Sequence, residues 1–459
     1  MIRLSLGEIA AITGGRVVNA DPSAEVTGTV EYDSRKVGPG GLFVAFAGEK
    51  VDGHDYAAAV IAGGAAAVLG TRDTGQPGVV VEEQLAALAT LAHAVLERLP
   101  DLTVVGLTGS SGKTTTKDYI GQLLSRLGPT VAPKGSLNNE LGFPYTVLLA
   151  DEKTRFLVLE MGARGVGHIR YLTEIARPSI GLVLNVGAAH IGEFGSVEGT
   201  ALAKGEMVEA LAPSGVAILN ADDALVAGMS SRTRARVIFT GEAGDADVRA
   251  ASVSVDSSGR ASFDLVSGDK TGHVRLGVAG RHQVANTLAA AAVALTAGMA
   301  FADLVTALGE VGIVSERRMD VFTRPDGVTV IDDSYNANPS STAAALHALA
   351  AMGEGRRTTA VLGYMAELGD QEVAGHAETG RLAATLGVDR LIAVAENAHP
   401  ILDGAGAVAD WPGAAHAAAD QAAAIAILQA DLRADDVVLV KGSRYRTWDV
   451  ADWLRSEEV

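Results

Sequence analysis

Between an apolar run, Thr103–Leu107, and a helical stretch that opens at Lys113 lies Thr108-Gly-Ser-Ser-Gly-Lys-Thr-Thr115. This arrangement constrains the fold more than any other feature of the chain. A buried strand that ends in a glycine-bearing loop and passes directly into a helix opens a strand–helix–strand unit of a parallel sheet. The glycines let backbone N–H groups converge on one point, and the helix N-terminus adds positive potential there. Such a loop suits a phosphate. Gly109, Ser110, Ser111, Gly112, Lys113, Thr114 and Thr115 would cradle a nucleoside triphosphate, with Lys113 on its outer phosphates and the Thr114 hydroxyl turned to Mg²⁺. The strict spacing of such loops puts a glycine where this chain has Leu107; its glycines are Gly106, Gly109 and Gly112.

The loop belongs to a longer alternation. Thr103–Leu107, Phe156–Leu159, Ile180–Leu184 and Val216–Leu219 are short and aliphatic on both faces, as inner strands of a helix-covered parallel sheet are. Helices from Lys113, Val166 and Val197 fill the gaps, Val237–Leu276 reads as a β-rich insertion, and Gln283–Ala297 as a helix. The first hundred residues mix shorter elements: strands at Val26–Tyr32, Leu42–Ala47 and Val79–Val81, and helices at Tyr56–Ala62 and Gln84–Leu99. Near Ser315 the pattern restarts with a hairpin about Arg324-Pro-Asp-Gly327, followed by further strand–helix alternation to the end. With 459 residues the chain divides into three α/β domains, 1–100, 101–315 and 316–459.

Charge and composition narrow the function. The formal net charge is -18, which excludes a surface built to grip nucleic acid. There is no cysteine, so neither a disulfide nor a thiolate nucleophile is available. The N-terminus has no basic segment followed by an apolar core, and the most apolar stretch, Val284–Ala302, contains Asn286 and Gly298. The sequence predicts a soluble cytoplasmic protein without membrane insertion.

Three further groups fall on strand ends or loops of the same sheet. Glu160 follows the strand Phe156–Leu159, His190 follows Ile180–Leu184, and Lys204 lies in the next helix. Ligands of open parallel sheets bind beyond the carboxyl ends of the strands, where Thr108, Glu160 and His190 converge. A carboxylate and a neutral imidazole there can hold Mg²⁺ beside the nucleotide.

With these segments in hand the chain resembles the Mur ligases, which build the peptide of bacterial cell-wall precursors. The likeness is carried by Gly106-Leu-Thr-Gly-Ser-Ser-Gly-Lys-Thr-Thr115, Glu160-Met-Gly-Ala163, His190-Ile-Gly-Glu-Phe-Gly-Ser196, Ala203-Lys-Gly-Glu206 and Gly280-Arg-His-Gln-Val-Ala-Asn286. A narrower likeness, to members that join D-alanyl-D-alanine to UDP-N-acetylmuramoyl-tripeptide, rests on further segments. These are Asp33-Ser-Arg-Lys36 with Gly41-Leu-Phe-Val-Ala-Phe46, Asp52-Gly-His-Asp55, Ser136-Leu-Asn-Asn-Glu-Leu-Gly-Phe-Pro144, Asp332-Asp-Ser-Tyr-Asn-Ala-Asn-Pro339 and Val438-Leu-Val-Lys-Gly-Ser-Arg444.

The resemblance implies a UDP-binding first domain, a central ATPase domain and a Rossmann-like third domain, with ATP and Mg²⁺ as cofactors in a monomer. It implies that Ser34 and Arg35 meet the uridine nucleotide, and that Asn138 and Asn139 lie near the substrate's sugar or phosphates. It places Glu160 and His190 on Mg²⁺ and Asn286 on adenine. Lys113, Lys204 and His190 serve catalysis, and Arg317 and Asp333 close the site over ATP. Lys204 matches a lysine that CO₂ carbamylates, giving an oxygen ligand for a second metal. In one segment, Leu362-Gly-Tyr-Met-Ala-Glu-Leu-Gly369, the family carries an acidic residue where this chain has Tyr364. Two other readings stay open at this level: a member of the family that adds a different amino acid or dipeptide, and a nucleotide-driven switch.

Overall fold

The computed structural model describes residues 1–48, 50–187 and 194–456. Three larger sheets organise them, beside a two-stranded one formed by Leu4–Ser5 and Glu25–Val26. The first, within residues 16–80, has five strands: Arg16–Val18 runs antiparallel to Gly78–Val80, and Ala67–Gly70, Leu42–Val44 and Val30–Glu31 follow in parallel. The second has nine strands. Thr103–Thr108 lies between Phe156–Glu160 and Ile180–Val183, all parallel. The β-rich segment expected as an insertion extends this same sheet, through Arg236–Gly241 and Val248–Val255 to the antiparallel strands Arg260–Ser267 and Lys270–Ala279. The third has six strands, with Val437–Lys441 between Thr329–Asp332 and Thr358–Gly363, again parallel.

One expected strand divides. Over residues 26–32 the chain pairs first at Val26 with Leu4 and then at Val30 with Leu42. Between them the N–H groups of Thr27 and Gly28 both donate to the carbonyl of Gly40, at 3.0 and 2.8 Å, which takes them out of any ladder. Gly28 allows this because a Cβ there would lie 2.6 Å from the carbonyl oxygen of Pro39.

The cores are distributed unequally. Leu4, Leu69, Leu88, Leu91 and Val95 from the first hundred residues share one continuous apolar cluster with Leu157 and Val183 of the central sheet and with Phe143 and Leu172 of the helices Gly142–Val147 and His168–Ile175. The opposite face of that sheet packs on helices Lys113–Leu124 and Gln283–Thr296 through Ile120, Leu123, Val284 and Leu288. The C-terminal sheet has cores of its own on its two faces, and only Ala279 of the preceding chain joins either. Among the described residues no helix is long and apolar enough to cross a membrane.

Candidate functional site

The carboxyl ends of the central and C-terminal parallel strands face one cleft of about 670 Å³. On the central side the loop after Thr108 turns into its helix through Gly112, whose φ of 79° is left-handed. A Cβ at Gly112 would stand 2.4 Å from Asn286 Oδ1, so glycine is required for backbone shape and for space. Asn185 Oδ1 accepts the Ser111 N–H at 2.9 Å and pins the loop to the next strand. The Lys113 ammonium folds back to donate to the Gly109 carbonyl at 2.8 Å. Burial holds its pKa below the usual lysine range, against the opposing pull of Glu160.

Glu160 is buried and collects three donors. The Thr114 hydroxyl donates to Oε2 at 2.9 Å, while Ser136 Oγ and Asn138 Nδ2 each donate to Oε1 at 2.8 Å. A hydroxyl and a carboxylate so close to a phosphate loop are hard oxygen donors, which fit Mg²⁺ that keeps phosphate oxygens and waters as its other ligands. Among the described residues no three His, Asp or Glu side chains gather as a metal site. His190 lies outside the described residues.

Lys204 reaches the same cleft from the helix Val197–Glu209, which Ser196 caps. It is buried, and among the described residues no carboxylate pairs with it. Desolvation first, and the charge of Lys113 second, push its pKa down to about 7.

The far wall comes from the chain beyond Ser315. Arg317 and Arg318 are neighbours with opposite destinations. Arg317, at φ 59°, turns its guanidinium away from the cleft to Asp452, 3.0 Å, and lies over the Trp448 ring. Arg318 lines the cleft, donating to Thr114 Oγ1 at 3.2 Å with its guanidinium 4.0 Å over the Tyr335 ring. Asp333 accepts the Met319 N–H at 3.1 Å and pairs with the ammonium of Lys441, which also donates to the Asn336 carbonyl at 2.9 Å. Asn286 lines the cleft beside Gly112, its amide donating to Gln283 Oε1 at 2.9 Å.

Thus the structure brings Ser110 to Thr115, Asn138, Asn139, Glu160, Lys204, Asn286 and Asp333 together. Asn139 faces the cleft while its Oδ1 caps the Gly142 N–H at 2.8 Å. Ser34 and Arg35 stand apart, in the turn after Val30–Glu31. Arg35 is solvent-exposed there and holds Asp33 through two bonds of 2.9 and 2.8 Å, which draws that carboxyl down to about 2. Sequence reasoning passed over Arg318, Ser136 and Lys441. Nothing in an Arg-Arg pair tells which side chain points inward, but Ser136 and Lys441 lay in segments already singled out. Tyr364 does not line the cleft; its hydroxyl donates to Glu372 at 2.6 Å.

Comparison with known proteins adds three family models matched in order along the chain. They are described as "Mur ligase family, catalytic domain" over residues 27–99, "Mur ligase middle domain" over 107–294 and "Mur ligase, glutamate ligase domain" over 317–444. The UDP-N-acetylmuramoyl-tripeptide–D-alanyl-D-alanine ligase of Mycobacterium tuberculosis is 49% identical, covering 96% of each chain. The protein of the same name from Escherichia coli is 36% identical, covering 97% of this chain and 96% of that one. Among solved structures, MurF from Acinetobacter baumannii matches with a TM-score of 0.86 at 32% identity, covering 99% of each chain. MurF ligase from Thermotoga maritima in complex with ADP matches with 0.79 at 29% identity, covering 93% of this chain and 97% of that one.

Proposed function

The chain belongs to the Mur ligase family, and from that premise we propose that it joins D-alanyl-D-alanine to the terminal carboxylate of UDP-N-acetylmuramoyl-tripeptide, at the expense of ATP, in peptidoglycan precursor synthesis. Glu160 carries this reading. One buried carboxylate ties the phosphate loop, through Thr114, to the Ser136–Asn139 segment on which the resemblance puts the sugar nucleotide. ATP and the acceptor carboxylate therefore meet around a single group.

A carboxylate does not condense with an amine in neutral water unless it is activated. The tripeptide carboxylate attacks the γ-phosphate, ADP leaves, and an acyl phosphate results. The dipeptide amine then attacks the acyl carbon, phosphate departs, and the amine gives up a proton. Phosphoryl transfer asks the protein for position and charge neutralisation. Lys113 and Arg318, on opposite walls of the cleft, would bring cations to the phosphates, and Asn286, which the resemblance assigns to the adenine, lines the same cleft. Thr114 and Glu160 would hold Mg²⁺, which when bound would further neutralise phosphate charge. In this reading Lys204 is the lysine that CO₂ carbamylates: an amine with its pKa near 7 and no carboxylate beside it among the described residues has a substantial uncharged, nucleophilic fraction at neutral pH.

The test is phosphate release by the purified protein with ATP and Mg²⁺. Release should require UDP-muramoyl-tripeptide and D-alanyl-D-alanine together and yield a UDP-muramoyl-pentapeptide by mass. Release with another amine, but not with this dipeptide, would overturn the substrate assignment.

A further inference from the structure

On its C-terminal wall the cleft has, beyond Arg318, a guanidinium that the chemistry above leaves without a task; Arg164 lines the opposite, central wall. Arg444 stands on the loop after the strand Val437–Lys441, and it lines the cleft together with Glu367. Its Nη2 donates to Glu367 Oε1 at 2.8 Å and its Nη1 to its own neighbour's carbonyl, Ser443 O, at 2.8 Å. Two of its five donors are thereby used, and its side chain is 47% exposed.

The two loops that carry this pair are strained and braced. Glu367, Tyr445 and Arg446 adopt φ values of 69, 57 and 54°, a left-handed backbone that is costly for side chains other than glycine. Hydrogen bonds hold them there. The Tyr364 carbonyl accepts both the N–H and the hydroxyl of Ser443, at 3.1 and 3.0 Å, and the Ala366 N–H donates to that hydroxyl at 3.1 Å. The Met365 N–H donates to His376 Nε2 at 2.9 Å, and the Tyr364 ring stacks on His376 with centroids 5.3 Å apart. Tyr364 is thus part of the frame, and the group it helps to present is the guanidinium.

We infer that Arg444 receives the C-terminal carboxylate of the incoming dipeptide, with Glu367 and the Tyr364–Ser443 frame fixing its direction. This rests on the ligase reading and adds to it a residue that selects the amine substrate. A zwitterionic dipeptide whose amine must face the acyl phosphate presents its carboxylate at the other end, and a planar fork of donors is the matching group. The remaining cations of this wall are committed elsewhere: Lys441 to Asp333, and Arg318 to Thr114 and Tyr335.

The experiment compares the wild type with Arg444→Ala and Arg444→Lys, using D-alanyl-D-alanine and its C-terminal amide as amine substrates. For the wild type, the amide should have a KM about ten- to a hundredfold above that of the free dipeptide. Arg444→Ala should show the same loss with the dipeptide, no added loss with the amide, and unchanged KM for ATP and for UDP-muramoyl-tripeptide. Arg444→Lys should fall between. An equal loss on both amines, or a shift in the KM of either other substrate instead, would overturn the assignment of Arg444. Absence of pentapeptide formation by the wild type would overturn the ligase reading itself, so the two failures are distinct.

Discussion

At single residues the cleft depends on groups that are poor choices for stability. Lys204 is the plainest. Its folded pKa lies near 7, below that of an exposed lysine, so between those values the unfolded chain binds a proton that the folded chain gives up. Stability therefore rises with pH across that window. Lys204→Met should raise the melting temperature near pH 7, lose the pH dependence of that window, and reduce ligation on the order of a hundredfold. Thermal melts from pH 6 to 9 beside a turnover assay check both halves, and a variant that is active or less stable would contradict them. Gly112→Ala meets two obstacles at once, a φ of 79° and an Asn286 oxygen 2.4 Å from the new Cβ. It should weaken ATP binding at least about tenfold, as strain of about 1–3 kcal/mol implies, with calorimetric titration as the measurement. The sequence made the loop, Glu160 and Lys204 legible because each stands at a fixed offset from an apolar run. It named Arg317 where Arg318 is the one that lines the cleft, since which of the pair points inward is set by the backbone turn at φ 59° and not by residue type.

Among elements, the helix Lys113–Leu124 does more than present phosphate donors. Asp118, on its buried face, accepts the Ser315 N–H at 2.9 Å, and Lys117 donates to the carbonyls of Pro133 and Gly135. Gln122 both donates to and accepts from the backbone of Gly312, at 2.9 and 3.0 Å. One helix thus fixes the nucleotide loop, the approach to Ser136, and the linker that leads to Arg318. Asp118→Ala leaves the Lys117 ammonium buried without its carboxylate 3.2 Å away. It should cost about 3 kcal/mol, read from the midpoint of urea unfolding. Periodicity located this helix and most of the parallel strands. It missed the strand Ala67–Gly70, whose alanine- and glycine-rich surroundings carry no alternation, and it merged the two short strands on either side of Thr27 and Gly28. In both cases a tertiary contact decides the structure, not a local pattern.

Across the whole molecule the distribution of cores separates what is fixed from what can move. The first sheet shares an apolar cluster with the central one, whereas the C-terminal sheet is nearly self-contained. Between them the backbone turns through left-handed Arg317 and Met319. Limited proteolysis should cut between Ser315 and Met319, leaving a C-terminal fragment that stays folded by circular dichroism; a fragment beginning at 101 should aggregate. Closure should also be visible optically, because Trp448 lines the cleft from the C-terminal side. Nucleotide with Mg²⁺ should change the tryptophan emission, and Trp448→Phe should abolish that change while leaving Trp411 and Trp453 in place. The same division bears on descent. A seam that crosses a shared core only at Ala279 is one at which genes can recombine without unfolding either product. The residues proposed to receive the nucleotide sugar, Ser34, Arg35, Asn138 and Asn139, lie on one side of Ser315, and Arg444 lies on the other. A chimaera joined there would inherit its acceptor from one parent and its amine from the other, so new peptide stems can arise by exchange of a single module.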